Sequence, residues 1–289
     1  MIQYDTARKE YIVSQEAKEF LSRINEPVGV ICVAGKYRTG KSFLLNRVII
    51  NTRAERGFGV GPTINPCTKG LWCWTELLQS EHNGQPLKVV LIDSEGIGSL
   101  DEDENHDTKI FLLALLLSSF FIYNSIGTID ENALNNLQLI INLSKELQIK
   151  SELLEETEPE EVQKYFPSFL WVVRDFSLRL LSQQGETISS REYLEQSLNE
   201  QKGFSEAIET KNRIRRLIKQ VFPERDCYTL VRPVEQEKQL QSLQSMADHE
   251  LRPEFVEQMV QLRSKIYKKV RPKTLNGKLV TGKMLLELA

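Results

Sequence analysis

"GKYRTGKS", residues 35–42, decides the fold. Gly35, Gly40, Lys41 and Ser42 match G-x-x-x-x-G-K-[ST], the pattern of a loop that wraps a phosphate. Glycines are needed because backbone N–H groups must curl inward around the anion. The lysine neutralises β/γ oxygens and the hydroxyl can hold Mg²⁺. The pattern has weight only between a strand and a helix, and both flanks comply. "VGVICVA", residues 28–34, is a β-branched run of the kind buried on both faces of a sheet, and "KSFLLNRVI", residues 41–49, has helical apolar spacing. The helix start would aim its partial positive charge at the same phosphates. Lys36, Tyr37, Arg38 and Thr39 fill the loop, and Phe43 comes just after it. Arg38 has two readings: a solvated residue at a loop tip, or a guanidinium folded over the β/γ-phosphates to stabilise transition-state charge.

Downstream, strand and helix patterns alternate. "NTRAERGFGVGPTINPCTKG", residues 51–70, holds four glycines and two prolines and reads as a long functional loop. "LWCWTELL" reads as a strand, joined through an Asn-Gly turn to "KVVLID", residues 88–93, a second buried strand. "IFLLALLLSSFFIY", residues 110–123, is too short for a membrane span and reads as a buried helix running into a buried strand. An amphipathic helix begins at "ENALNNLQLIINLSKELQ". Further strands are expected at 169–173, 227–231 and 278–280, with helices at 189–199 and 207–222. "RPVEQEKQLQSLQSM" and "PEFVEQMVQLRSKIYKKV" also read as helical. This alternation implies an α/β fold with a mainly parallel sheet, whose ligand loops gather at the carboxyl ends of the strands.

Three further stretches carry chemistry. "DSEG", residues 93–96, lies roughly fifty residues after the phosphate loop. There Asp93 can bind Mg²⁺ through water and Gly96 can offer its N–H to a γ-phosphate. Thr68, in "NPCTKG", is either a plain loop threonine or a group that closes on Mg²⁺ and the γ-phosphate. In "WVVRDF", Asp175 just past a strand end can accept from guanine N1–H and the 2-amino group, donors that adenine lacks on that edge. The alternative is a surface Arg-Asp pair, and no N/T-K-x-D motif stands here.

Composition narrows the class. The 289 residues are 40% hydrophobic and 27% charged with a net charge of -3, so one large domain or two small ones with an ample core are expected, and nucleic acid is not the expected partner. The polar start "MIQYDTARKEY" is no signal peptide, and the last residues carry no prenylation box. Cys32, Cys67, Cys73 and Cys227 form no CxxC pair, and with His82, His106 and His249 they show no metal-ligand spacing; reduced structural thiols in a cytoplasmic protein are expected.

Taken in order, "GKYRTGKSFLLN", "CTKGLWCW", "LIDSEGIG", "LLSSFFIYNSIGTI", "WVVRDFSL" and "LRPEFVEQM" resemble the GTPase domain of the guanylate-binding proteins, in the dynamin superfamily with the atlastins. The resemblance runs from about Tyr11 to the C-terminus. It implies a P-loop GTPase (G domain), α/β with a mainly parallel central sheet flanked by helices and enlarged by insertions. That single domain would span residues 1–289, without the helical stalk typical of the family. It implies GTP as substrate, GDP as product and Mg²⁺ as cofactor. Arg38 would be an internal arginine finger, Lys41 and Ser42 would serve phosphate and metal, and Thr68 would be the switch I threonine. Asp93, Glu95 and Gly96 would form switch II, with Glu95 ordering the water network. Arg174 and Asp175 would replace the usual guanine motif. The segment from Arg232, with Pro233 and Val234, would begin a guanine cap through which GTP-bound domains pair head to head. Membrane or protein targets would be reached only through regions this sequence lacks. Two departures stand out: Pro66, where fast members often have a water-aiding serine, and Glu235-Gln236-Glu237, where the cap often carries a basic run.

Overall fold

The computed structural model describes residues 1–5, 8, 10–52, 57–60, 69–97, 104–137, 166–182 and 184–289. The chain opens with a hairpin, β1 (Ile2–Asp5) and β2 (Glu10–Val13), followed by α1 (Gln15–Ser22) and β3 (Val28–Gly35). α2 (Lys41–Leu44) runs into a π-helical stretch, Leu45–Ile50. Next come β4 (Leu71–Cys73), β5 (Leu78–His82), β6 (Gln85–Ser94), α3 (Glu104–Leu117), β7 (Phe120–Ile126) and α4 (Glu131–Asn135). β8 (Ser168–Arg174), α5 (Ser190–Ser197), α6 (Glu206–Val221) and β9 (Arg225–Thr229) complete the sheet-forming part. The chain ends with a 3-10 segment (Glu237–Ser242), α7 (Pro253–Lys269), a hairpin of β10 (Thr274–Leu275) and β11 (Lys278–Leu279), and α8 (Gly282–Leu288).

The nine-stranded sheet has the order β2-β1-β4-β6-β3-β7-β8-β9, with β5 also on β6. β6, β3, β7, β8 and β9 are parallel. The antiparallel strands collect at the other edge. The expected α/β class with a mainly parallel sheet is therefore observed. Period-2 alternation along the parallel strands feeds two cores. Val30, Cys32, Val90, Ile92, Phe121, Tyr123, Phe169 and Trp171 face the layer of α1, α3, α4, α5, α6 and α8. Ile31, Val33, Val89, Leu91, Phe120, Ile122, Leu170 and Val172 face α2 and α7. Residues 110–123 behave as expected, α3 running into β7. Cys32 and Cys227 are buried free thiols, and Cys73 is a partly buried one. Among the described residues no helix is long and apolar enough to cross a membrane.

Two expectations change and two features are added. The polar N-terminus forms a hairpin that extends the sheet, with Ile2 paired to Leu71. "LWCWTELL" is two strands, because Cys73 opposes Ile92 and Leu78 opposes Val89, so residues 74–77 bulge against only Val90 and Leu91. "RPVEQEKQLQSLQSM" shrinks to the 3-10 segment, which buries none of its residues and so has no apolar face to hold a longer helix. The helix after Ser42 widens to π geometry at Leu45, and α7 satisfies the carbonyls at its C-terminal end. Arg263 donates to the carbonyls of Arg47 and Val48 at 2.9 and 2.5 Å, and Tyr267 to that of Ile49 at 3.2 Å. The helix expected from Glu131 is described only as α4; its remainder lies outside the described residues.

Candidate functional site

Three strand ends bring the site together. β3 ends at Gly35, β6 at Ser94 and β8 at Arg174, and these three strands belong to the parallel part of one sheet. Gly35 has φ 150°, and a Cβ there would lie 2.1 Å from the carbonyl oxygen of Asn124. Only glycine lets the chain turn out of β3 this close to β7.

The turn is braced from three sides. Asn124, fully buried near the end of β7, donates from Nδ2 to the carbonyl of Thr39 at 2.9 Å. Arg174 donates from Nη1 to the carbonyl of Gly40 at 3.1 Å, and its guanidinium lies 5.4 Å over the ring of Phe43. Lys41 donates to the carbonyl of Lys36 at 3.2 Å, closing the loop on itself. Burial holds the Lys41 ammonium below its ordinary pKa, while Asp93, Glu95 and Asp107 pull the other way.

The end of β6 is laid against this loop. Ile97 N–H donates to the Gly35 carbonyl at 3.1 Å, and Tyr37 N–H donates to the Ile97 carbonyl at 2.9 Å. Gly96 is packed so tightly that a Cβ would meet Tyr37 Cα at 2.4 Å and Lys41 Nζ at 3.0 Å. Ser42 Oγ donates to Asp93 Oδ2 at 2.5 Å. Hydroxyl and carboxylate oxygens are the hard donors that Mg²⁺ selects, so this pair fits that ion. Glu95 is buried; its Oε2 accepts from the N–H of Gly70 at 2.6 Å and from His106 Nε2 at 3.1 Å. Its Oε1 is buried with no hydrogen-bond partner among the described residues.

Arg38 and Asp175 both adopt the left-handed backbone region, with φ 63° and 56°. Few non-glycine residues do so, and such strain persists where the surroundings impose it. Arg38 is exposed, its guanidinium 5.6 Å from the centroid of the Tyr37 ring. Asp175 turns the chain out of β8. Just beyond it, Phe176 N–H donates to the Leu230 carbonyl at 2.9 Å, so the chain leaving β9 runs beside this turn. Pro233 and Val234 are buried in that chain. The Pro233 carbonyl accepts from Arg252 N–H at 2.9 Å, and Val231 N–H donates to Gln258 of α7 at 2.8 Å. Arg232 keeps its Nη2 3.5 Å from Glu237. Thr68, like Pro66 and Cys67, lies outside the described residues.

Residues in 35–43 and 93–96, with Arg174, thus meet around one turn, while 232–234 pack towards α7 and Glu237. The profile of the family described as guanylate-binding protein, N-terminal domain, matches residues 8–275. The chain belongs to the guanylate-binding protein family. It is 40% identical over 270 residues to guanylate-binding protein 1 of Chlorocebus aethiops, covering 92% of this chain and 44% of that protein. It is 39% identical over 272 residues to guanylate-binding protein 1 of Homo sapiens, covering 92% and 44%. With guanylate-binding protein 2 of Mus musculus it shares 38% over 281 residues, covering 96% and 46%. The chain spans less than half the length of these relatives.

Within this guanylate-binding domain, three contributors have no role assigned from the sequence. Asn124 stands inside "YNSIGTI"; its signal is a polar residue closing the apolar run "FFIY" at a strand end. Gly70 and His106 reach Glu95 across 25 and 11 residues, and no local spacing announces either. Arg174, expected with Asp175 in place of the usual guanine motif, sends its side chain to the phosphate loop.

Proposed function

We propose that this chain binds GTP with Mg²⁺ and hydrolyses it to GDP, in the cytoplasm. The observation that carries the proposal is the junction of the two loops: Ser42 Oγ on Asp93 at 2.5 Å with Gly96 packed on Tyr37. That junction supports the reading of a phosphate cradle, a metal-ligand pair and a γ-phosphate sensor in one place. Gly35 to Gly40 wrap the phosphates with their N–H groups, and Lys41 neutralises the β/γ oxygens. Ser42, with Thr68, would hold Mg²⁺ directly and Asp93 through water; the ion would screen phosphate charge there. Gly96 N–H meets the γ-phosphate. Arg38, exposed in the loop with a left-handed backbone, would swing over the phosphates to stabilise charge developing on the transferred group. Glu95 accepts a hydrogen bond from the attacking water's network. Asp175 reads guanine N1–H and the 2-amino group, and Arg232, Pro233 and Val234 begin the cap beside the base. GTP-bound copies pair head to head through this face.

Calorimetry with GTP and ATP tests the reading. GTP should bind far more tightly; equal affinities would remove the role of Asp175. Arg38→Ala should slow turnover at least tenfold with little loss of GTP affinity.

Pro66 supports a second reading, a GTP-gated interaction module with weak hydrolysis, because proline has no donor with which to place water. Turnover per molecule that rises with protein concentration favours the dimeric enzyme; a flat, slow rate favours the module.

A further inference from the structure

Glu95 is held by a chain of hydrogen bonds that starts at the N-terminal hairpin. Tyr11, on β2, places its hydroxyl 2.8 Å from Nδ1 of His106, near the start of α3. His106 Nε2 lies 3.1 Å from Glu95 Oε2. The two side chains at the inner end are nearly sealed from water, with His106 10% and Glu95 3% exposed.

The chemistry orients the chain. A carboxylate only accepts, so Nε2 carries the hydrogen. In the neutral ring Nδ1 is then the acceptor, and the Tyr11 hydroxyl is the donor that selects this tautomer. The imidazole is further confined by ring contacts: stacked on Tyr11 at 5.6 Å and 25°, and edge-on to Tyr4 at 5.9 Å and 78°. Glu95 Oε2 thus receives two donors, His106 and the N–H of Gly70, and two donors on one oxygen fix the plane of the carboxylate. The other oxygen, Oε1, is buried and takes no hydrogen bond among the described residues. A buried acceptor left open beside a buried lysine has a purpose if something in the working site donates to it.

We propose that His106, held by Tyr11, is a positioning residue for Glu95, locking its carboxylate so that Oε1 faces the water that attacks GTP. The inference rests on the reading of Glu95 as an acceptor in the water network. Without His106 the carboxylate keeps only the Gly70 contact and can rotate about it. Partners that orient a functional side chain in this way are worth roughly tenfold or more when removed.

The test uses the 289-residue chain with Mg²⁺ and GTP, measuring kcat, KM, affinity for a non-hydrolysable GTP analogue and Tm. H106A should lower kcat about tenfold and leave analogue affinity within twofold. H106Q, whose amide can donate to Glu95 from nearly the same place, should restore most of the rate. Tyr11→Phe keeps the ring contacts, loses the tautomer-setting hydroxyl and should lower kcat severalfold at unchanged Tm. In an E95Q background, H106A should cost nothing further, since both act through one carboxylate. A wild-type kcat in H106A or Tyr11→Phe overturns the proposal while E95Q remains slow. So does a loss in H106A that H106Q does not rescue and that tracks a fall in Tm and analogue affinity. A wild-type kcat in E95Q itself removes the Glu95 reading, and the His106 proposal with it.

Discussion

Arg174, the last residue of β8, donates from Nη1 to the carbonyl of Gly40 at 3.1 Å, tying the strand that carries Asp175 to the turn that starts α2. Its guanidinium is fully enclosed, and burial lowers its pKa while Asp175 raises it. The residues expected to meet the base and the phosphates are therefore parts of one braced unit.

Replacing Arg174 by Met should loosen both. The methionine stem can still cover Phe43, but the Gly40 carbonyl loses its charged donor, a cost of about 2 kcal/mol. In a chain of this size that is a fall of roughly 3 °C in Tm. Nucleotide affinity should fall with it, whereas a surface Arg-Asp pair would leave both quantities unchanged. Thermal unfolding with and without nucleotide makes the measurement.

Ser42→Ala should separate the metal from the phosphates. The hydroxyl on Asp93 is the direct oxygen ligand proposed for Mg²⁺, while the loop N–H groups are untouched by the change. GTP affinity in Mg²⁺ should drop about tenfold or more, and affinity in chelator should stay at the wild-type value. Titration of a fluorescent GTP analogue under both conditions reads the difference. Equal losses with and without the ion would place Ser42 in phosphate binding alone.

How legible each device is in the chain depends on how local it is. Residues 35–42 declare themselves because glycine spacing, lysine and hydroxyl act within one turn, and the β-branched runs declare the buried strands. The N-terminal hairpin does not, because "IQYD" and "EYIV" are short, half-polar strands whose place depends on a single pair, Ile2 with Leu71. The partners that cap the end of the π stretch, Arg263 and Tyr267, lie more than two hundred residues away in sequence. The contact made by Arg174 is hidden for a related reason. The side chain before a left-handed residue points where the strand sends it, and Asp175 at φ 56° redirects only the residues beyond it.

Gly96→Ala should damage the site without unfolding the protein. The added methyl would sit 2.4 Å from Tyr37 Cα and 3.0 Å from Lys41 Nζ, so the phosphate loop and the end of β6 must part. Neither core contains Gly96, and far-UV circular dichroism should be unchanged. Turnover should fall by about two orders of magnitude, as expected when reacting groups are displaced by around 1 Å. A turnover near wild type would mean that the contact between these loops is incidental.

Lys273 supplies a pH test remote from the site. It is 5% exposed, and its Nζ donates to the carbonyl of Ser118 at 2.9 Å. Burial lowers its pKa from 10.5 to about 8. The folded value lies below the unfolded one, so folding disfavours the charged form. Below pH 8 the full cost is present. Between pH 8 and 10.5 the unfolded chain keeps a proton that the folded chain has released, so stability rises with pH there. The shift corresponds to about 3 kcal/mol at 1.36 kcal/mol per pKa unit. Lys273→Met has no such titration. It loses the hydrogen bond to Ser118 at every pH, a constant offset of about 1–3 kcal/mol. Urea unfolding of both proteins at pH 7 and pH 10 cancels the other titrating groups. The wild type should gain about 2.5 kcal/mol on the variant between the two pH values. A difference that does not move with pH would mean that Lys273 titrates in the fold as it does in the unfolded chain, its ammonium solvated after all.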